Sequence, residues 1–108
     1  LGDVYKRQIY RELGLKDAYA NYSVGLSYNY FYAGYLDSAF LVLDDLYDLA
    51  KESEYQSIYS LAANLAGYLH YRSENYEKAL ENFMDYNASL SDQTRGETRL
   101  NIYLFLLN

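Results

Sequence analysis

The sequence has no cysteine and no proline, and it has only one histidine, His70. The absence of cysteine excludes a disulfide framework and a thiolate zinc site, so packing alone must hold the fold together. One histidine excludes a metal site with two imidazoles and a relay of histidines. His70 falls at a core position of a predicted helix, where a neutral imidazole is accommodated by packing or a hydrogen bond. We therefore interpret it as structural.

Long apolar runs are also missing. The segments "AFLVL" and "IYLFLL" fall far short of the roughly 18 to 20 residues that span a bilayer, and no basic-then-apolar signal peptide opens the chain. We therefore expect a soluble, cytoplasmic protein with no membrane partner.

Both ends of the sequence are unusual. It does not begin with methionine, and its opening "LGDVYKRQ" resembles a translated adapter remnant, so we expect residues 1–8 to be a non-native leader. The final "NIYLFLLN" stops within an apolar helical pattern without a cap. We expect residues 9–108 to form one domain that is truncated at both ends.

The charge balance is acidic, with a formal net charge of -6 and a pI of about 4.6. Such a chain repels a nucleic-acid backbone, so we expect no direct binding of nucleic acid. Hydrophobic residues make up 51% and charged residues 22%, which is typical of a folded domain and not of a disordered chain. The 108 residues suffice for one modest core.

What the sequence does contain is helical periodicity. One apolar stripe begins after Asp17 and ends at Gly34, a residue suited to a helix C-terminus. A second stripe covers residues 36–50, with acidic residues mostly on the opposite face. The capping box Ser53-Glu-Tyr-Gln56 predicts the start of a third helix, and residues 76–90 predict a fourth. Partial helices are predicted on either side, over residues 9–13 and after the second capping box, Thr94-Arg-Gly-Glu97.

The chain also repeats itself with an offset of forty residues. The offset aligns Tyr28 with Tyr68, Phe31 with Tyr71, Leu36 with Tyr76, Ala39 with Ala79, Leu43 with Phe83 and Asp45 with Asp85. A period of about 20 to 50 residues with two helices in each period is typical of stacked helical hairpins.

The second unit carries a small residue at Gly67, an aromatic at the turn, Tyr76, an alanine at Ala79 and another aromatic at Phe83. The corresponding positions of the first unit are Ser27, Leu36, Ala39 and Leu43, with Tyr30 and Gly34 at a tyrosine and a glycine position. This pattern resembles the tetratricopeptide repeat (TPR), in which the alanine sits where the two helices of a hairpin cross. The resemblance implies an all-α, right-handed superhelical solenoid of antiparallel helix hairpins. Two hairpins and flanking partial helices would fill residues 9–108.

The sequence departs from this family at several positions. Ser23 and Ala63 stand where the family has tryptophan, His70 stands at the tyrosine position of the second unit, and the closing proline is absent. The spacing of forty exceeds the commoner thirty-four and is similar to long repeats in bacterial signalling proteins. By analogy, we expect the sensory or interaction part of a larger regulatory protein.

The sequence offers little for catalysis. Asp44 and Asp48 lie one turn apart with Asp45 beside them, but this face is expected to be solvated, and a general acid needs burial to shift its pKa. We interpret the three carboxylates as a charged outer face. No glycine-rich phosphate loop, serine-centred elbow or HExxH motif is present. We predict no enzyme activity, no metal and no cofactor.

Sixteen tyrosines are the most unusual feature. In TPR-like hairpins the first helices line the concave surface, which leads us to predict a peptide-binding face. Tyrosine supplies a rigid contact area with a hydroxyl, and asparagine bonds a peptide backbone through both donor and acceptor. The predicted residues of this face are Asn21, Tyr28, Tyr32, Asn64, Tyr68, Tyr71 and Arg72.

Two interpretations remain open for this surface. The tyrosines bind a protein or peptide partner, or they fill core and rim without a ligand. In the second case the chain is a purely structural spacer, or it forms a homodimer through the solenoid. Substituting Asn64 and Tyr68 together distinguishes the two, because loss of a partner without loss of helicity supports a binding face.

Overall fold

The computed structural model describes residues 2–53 and 56–89, with side chains from residue 5 onward. Over these residues the chain forms helices and short turns, with no strand. The helices are α1 (Gly2–Glu12), α2 (Lys16–Tyr32), α3 (Leu36–Ser53), α4 (Gln56–Arg72) and α5 (Tyr76–Ala88). None of them is long and apolar enough to cross a bilayer. The helix predicted after Thr94 lies outside the described residues.

The four helices predicted from periodicity are confirmed. The helices α2 and α4 have 17 residues each, and their first residues, Lys16 and Gln56, are separated by the offset of the repeat. The capping box Ser53-Glu-Tyr-Gln56 includes two residues outside the described part of the chain. Within that part, Ser53 is the last residue of α3, and its hydroxyl donates to the carbonyl of Leu49. A serine in a last turn satisfies the carbonyl four residues back as readily as it caps a following helix.

Three of the turns between helices share one geometry. In each, a residue with a left-handed backbone follows the helix: Gly14 has a φ of 72°, Gly34 of 89° and Glu74 of 63°. The amide of this residue bonds the carbonyl three residues back, and the next amide bonds the carbonyl five residues back. These two bonds define the Schellman motif, which satisfies carbonyls left free at a helix end. The turns therefore reverse the chain in the same way after α1, α2 and α4.

Each described helix packs against the next one in the chain, and α2 also packs directly against α4. The centre of the core lies between α2, α3 and α4, and its largest fully buried apolar side chains are Leu46, Ile58, Leu65 and Leu69. Both repeat alanines, Ala39 and Ala79, have no exposed surface. An alanine at each site lets the second helix of a hairpin approach the first closely.

The hairpin of α4 and α5 is packed most tightly at Gly67. A Cβ atom at this position would lie 2.5 Å from Cε1 of Phe83, so only glycine leaves room for the buried ring. The equivalent position of the first hairpin is Ser27, whose hydroxyl donates to the carbonyl of Ala39 at 3.0 Å. The small residue of the repeat pattern therefore lets α5 approach α4 closely at Gly67.

The apolar stripes are wider than the buried surface. Leu36, Tyr76 and Leu80 were expected in the stripes of α3 and α5, but they are 38%, 56% and 46% exposed. In the stripe of α5, the central residues Ala79 and Phe83 are buried, whereas Tyr76 and Leu80 at its margins are exposed. Helical spacing identifies a face, whereas burial depends on how far the neighbouring helix extends over that face.

Candidate binding face on α2 and α4

The predicted binding residues come from the two helices that pack together across the repeat. Asn21, Tyr28 and Tyr32 lie on α2, and the other four lie on α4. Offsets of seven and four residues keep the three α2 side chains on one stripe of that helix. We call the surface formed by these residues and their neighbours the α2–α4 face.

An aromatic cluster occupies one part of this face. It consists of Tyr28, Phe31, Tyr32, Tyr68 and Arg72. The rings of Tyr28 and Tyr68 are 5.1 Å apart at an interplanar angle of 81°, and Phe31 meets Tyr68 edge-on at 6.1 Å. Edge-to-face contacts of this kind place the positive ring edge against the negative face of its neighbour. The cluster therefore joins α2 to α4 at the ends of both helices.

Arg72 and the tyrosine hydroxyls connect the cluster further. Nη1 of Arg72 donates to the hydroxyl of Tyr68 at 3.1 Å, and its guanidinium lies 5.5 Å from the centroid of Phe31. The hydroxyls of Tyr32 and Tyr68 are hydrogen-bonded to each other. Burial, followed by the hydrogen bond with Tyr32, raises the pKa of Tyr68, and burial also raises the pKa of Tyr28. Both phenols consequently remain neutral donors at physiological pH.

Next to the cluster, the same helix pair borders a cleft with a volume of about 680 Å³, whose surface is mostly apolar with polar groups from several side chains. The described residues that line it are Asp17, Asn21, Gln56, Ser57, Ser60, Leu61, Asn64, Tyr86 and Ser89. Two of these residues, Ser60 and Ser89, have hydroxyl oxygens 2.7 Å apart, and this contact joins α4 to the end of α5. The cleft is large enough for one or two side chains of a ligand.

The structure therefore divides the predicted residues into three groups. Tyr28, Tyr32, Tyr68 and Arg72 are brought together in the aromatic cluster, and the two asparagines line the cleft. Tyr71 lies elsewhere, with its ring 5.6 Å from that of Tyr76 on α5. Phe31 in the cluster was not predicted, and neither were the cleft residues other than the two asparagines, among them Asp17. Asp17 lies four residues before Asn21, so extending the stripe by one turn would have found it.

A separate ionic cluster corrects the prediction for Asp45. We expected this carboxylate on a solvated face, but it accepts hydrogen bonds from Arg7 and Arg11 of α1 and from the hydroxyl of Tyr19 on α2. Arg11 also donates to the Tyr19 hydroxyl at 2.9 Å, and the guanidinium of Arg7 lies 4.6 Å from the Tyr19 ring centroid. The network joins three helices and is structural in character.

The pKa of Asp45 reflects this network. Burial alone would raise it, but the hydrogen bond from Tyr19 and the charges of Arg7 and Arg11 outweigh burial and lower the pKa below its ordinary value. The pKa of Tyr19 is raised, first by burial and then by its hydrogen bond to Asp45. Asp45 therefore stays ionised and is unsuited to act as a general acid near pH 7.

His70 packs as a structural residue. Its ring is 4.9 Å from that of Phe40 on α3, and burial, with the charge of Lys78, lowers its pKa. It is therefore neutral at pH 7. Within the described ranges, no group of three His, Asp or Glu side chains is arranged to hold a metal ion.

Comparison with known proteins gives no relative. No model of a known protein family matches the chain, and neither a curated protein nor a solved structure matches it. Its function must therefore be argued from the geometry described above.

Proposed function

We propose that the chain is a TPR-like helical repeat module that binds an extended peptide or protein segment along the α2–α4 face. The observation that carries this proposal is the position of the cleft beside the aromatic cluster on one helix pair. Asn64 of the cleft and Tyr68 of the cluster are one helical turn apart on α4. A single extended ligand can contact both.

The proposed architecture is a right-handed superhelix of stacked hairpins. Two observations support it: α2 contacts α4 although α3 lies between them in sequence, and the Schellman turns after α2 and α4 are alike. Direct packing of first helices from successive hairpins is what stacking requires. The α2–α4 face would then be the inner surface of the superhelix.

The chemistry of the face suits a peptide. A side-chain amide such as Asn21 or Asn64 offers both a donor and an acceptor, which match the two hydrogen-bonding groups of a peptide unit. The exposed ring of Tyr32 adds apolar contact area at low entropic cost. We propose that the module contributes binding, and no catalysis of its own, to a larger signalling or regulatory protein.

The structural alternative also has an observation in its favour. The hydroxyls of Tyr32 and Tyr68 bond each other, and Arg72 bonds Tyr68, so the cluster already satisfies several of its own polar groups. A spacer would need only such internal contacts. The two functions differ in what happens when the face is altered.

The test is a selection of random peptides displayed on phage against the immobilised protein. We expect enriched peptides whose affinity for the double variant Asn64→Ala/Tyr68→Ala is at least about tenfold lower than for the wild type. Circular dichroism should show unchanged helicity. The matched control is Tyr35→Ala/Asn75→Ala, which removes a tyrosine and an asparagine that neither line the cleft nor belong to the aromatic cluster, and it should leave the affinity unchanged. Equal affinity for all three proteins would support the spacer.

A further inference from the structure

Ser60 and Ser89, two residues that line the cleft, already donate their hydroxyl protons to hydrogen bonds within the protein. The hydroxyl of Ser60 donates to the carbonyl of Gln56 at 3.0 Å, and that of Ser89 donates to the carbonyl of Tyr86 at 2.6 Å. The two oxygens are also within hydrogen-bond distance of each other. Each hydroxyl has one proton, and the two protons are shared among two backbone carbonyls and the contact between the hydroxyls. The two serines therefore have no proton left for a ligand, and they offer it only the lone pairs of their oxygens.

Asp17 adds to this preference for donors. Among the described residues that line the cleft, Asp17 is the charged one, and a carboxylate accepts hydrogen bonds without donating any. The remaining polar lining residues can serve either as donors or as acceptors, so they do not oppose this preference; they are Asn21, Gln56, Ser57, Asn64 and Tyr86. The net charge of -6 further attracts cations to the protein.

We propose that the cleft receives a basic side chain, a lysine ammonium or an arginine guanidinium, of the bound peptide. This inference rests on the proposed peptide-binding function and assigns the chemical class of the partner. The cation carries several N–H donors, which match the oxygens of Ser60 and Ser89 and the carboxylate of Asp17. An acidic or purely apolar side chain would leave these oxygens without donors.

The geometry also sets the spacing of the peptide. Ser60 in the cleft and Tyr68 in the aromatic cluster are eight residues apart on α4, a rise of about 12 Å. An extended peptide covers that distance in about three residues. We therefore place an aromatic residue three positions from the basic one, in either chain direction, because an aromatic ring can make edge-to-face contacts with the exposed ring of Tyr32.

The experiment uses acetylated and amidated alanine-based heptapeptides with lysine and tyrosine three positions apart, in both orders. The matched peptides replace lysine by norleucine, which keeps the stem and removes the charge, or by glutamate. Binding is measured by fluorescence anisotropy, and the site is located by amide shift changes of isotope-labelled protein. We expect at least one lysine peptide to bind at least about tenfold more tightly than its norleucine counterpart. The glutamate peptides should bind most weakly.

The protein variants test the role of the carboxylate. Asp17→Asn should weaken binding of the lysine peptide about fivefold and leave the norleucine peptide unaffected. Asp37→Asn is the matched control, because Asp37 lies in the first turn of α3 as Asp17 lies in the first turn of α2, and it is not part of the cleft. If both variants weakened binding of the lysine peptide equally, Asp17 would act only through long-range electrostatics, and its assignment to the cleft site would be overturned.

Two other outcomes separate this inference from the proposed function. If lysine and norleucine peptides bind equally, with shift changes at Asn64 and Tyr68, the basic-side-chain assignment is wrong and the peptide-binding face survives. If no heptapeptide shifts any residue of the α2–α4 face and the phage selection also enriches nothing, both proposals fail.

Discussion

The hairpin of α2 and α3 and the hairpin of α4 and α5 solve one packing problem with different residues. Both place an alanine at the helix crossing, Ala39 or Ala79, and both bury it fully. The first hairpin combines Ser27 with Leu43 at the positions beside the alanine, whereas the second combines Gly67 with Phe83. The comparison teaches that the alanine sets how closely the helices approach. At the other two positions a smaller residue on the first helix is matched by a larger one on the second, so the total side-chain volume is kept.

The two hairpins also differ where they meet the helix before them. The first hairpin meets α1 through the ionic cluster of Asp45. The positions forty residues after Arg7, Tyr19 and Asp45 are occupied by Tyr47, Tyr59 and Asp85. The rings of these two tyrosines are 5.9 Å apart. Burial, with smaller contributions from Tyr59 and Asp85, raises the pKa of Tyr47 to about 12. An ion-paired junction has thus been replaced by an aromatic one.

The largest effect is expected from Gly67→Ala. The added methyl group would overlap the ring of Phe83, so the variant should lose about 1–3 kcal/mol of unfolding free energy, as measured by urea denaturation. The double variant Gly67→Ser/Phe83→Leu, which copies the first hairpin, should recover much of this loss.

Gly25→Ala is the matched control for this substitution. Gly25 also lies within a helix, but a Cβ atom there meets no atom within 4 Å. The control should therefore gain about 0.5–1 kcal/mol from the better helix propensity of alanine. If both alanine variants were equally stable, the close packing at Gly67 would be disproved.

The next largest effect concerns the ionic junction. Asp45→Asn should cost about 1.5 kcal/mol near pH 7, because three hydrogen bonds to a charged group are weakened. The folded pKa of Asp45 is lowered, so its stabilisation is present above the unfolded pKa of about 3.9 and is lost as the pH falls through the folded value.

Urea midpoints measured between pH 2 and pH 7 check this prediction. The acid-induced loss of stability should be smaller in Asp45→Asn than in the wild type. Asp85→Asn changes the equivalent, exposed carboxylate of α5 and should retain the acid-induced loss. If the loss of stability at acid pH were the same in Asp45→Asn as in the wild type, the ionic cluster would not be its cause.

A smaller effect of opposite sign is expected in the turn of the second hairpin. Glu74 adopts a left-handed backbone at a site where the first hairpin has Gly34. Replacing Glu74 by glycine removes this strain and should raise the unfolding free energy by about 0.5–1 kcal/mol. The reciprocal change, Gly34→Ala, should lower it by about 1 kcal/mol. Thermal melts of both variants would reveal the opposite shifts, and shifts of the same sign would refute the shared turn geometry.

The smallest effect at neutral pH is expected from Tyr47→Phe, about 0.5 kcal/mol. A larger effect of this substitution on stability is expected at high pH. The folded pKa of about 12 exceeds the unfolded value of about 10, so the stabilisation is complete below pH 10 and is lost as the pH rises toward 12. Urea midpoints between pH 8 and pH 11.5 should decline less steeply in Tyr47→Phe. An identical decline in both proteins would show that Tyr47 is not responsible.

The sequence predicts the elements that depend on local spacing. The offsets between Tyr76, Ala79 and Phe83 identify a helical face, and the forty-residue repeat predicts where α4 begins from where α2 begins. Sequence periodicity also places four of the seven predicted face residues in one cluster, because the equivalent stripes of α2 and α4 meet. These features arise within one helix or from one repeat unit.

Features that depend on several helices could not be predicted in this way. Asp45 was assigned to a solvated face because its partners come from α1 and α2, and no spacing within α3 reveals them. Tyr71 shares the stripe of Tyr68 in sequence, yet its ring lies against Tyr76 because α5 passes on that side. The direction of a side chain within a stripe depends on the neighbouring helix.

The pairing of helices has a consequence for how the chain folds. The backbones of the described helices pack against the neighbouring helix in the chain or, for α2 and α4, against the helix after the neighbour, and side chains also join α1 to α3. Only short loops must close before these contacts form, and topologies with such local contacts fold within microseconds to milliseconds. Structure can thus start in either hairpin and extend to the other, without waiting for distant parts of the polypeptide to meet.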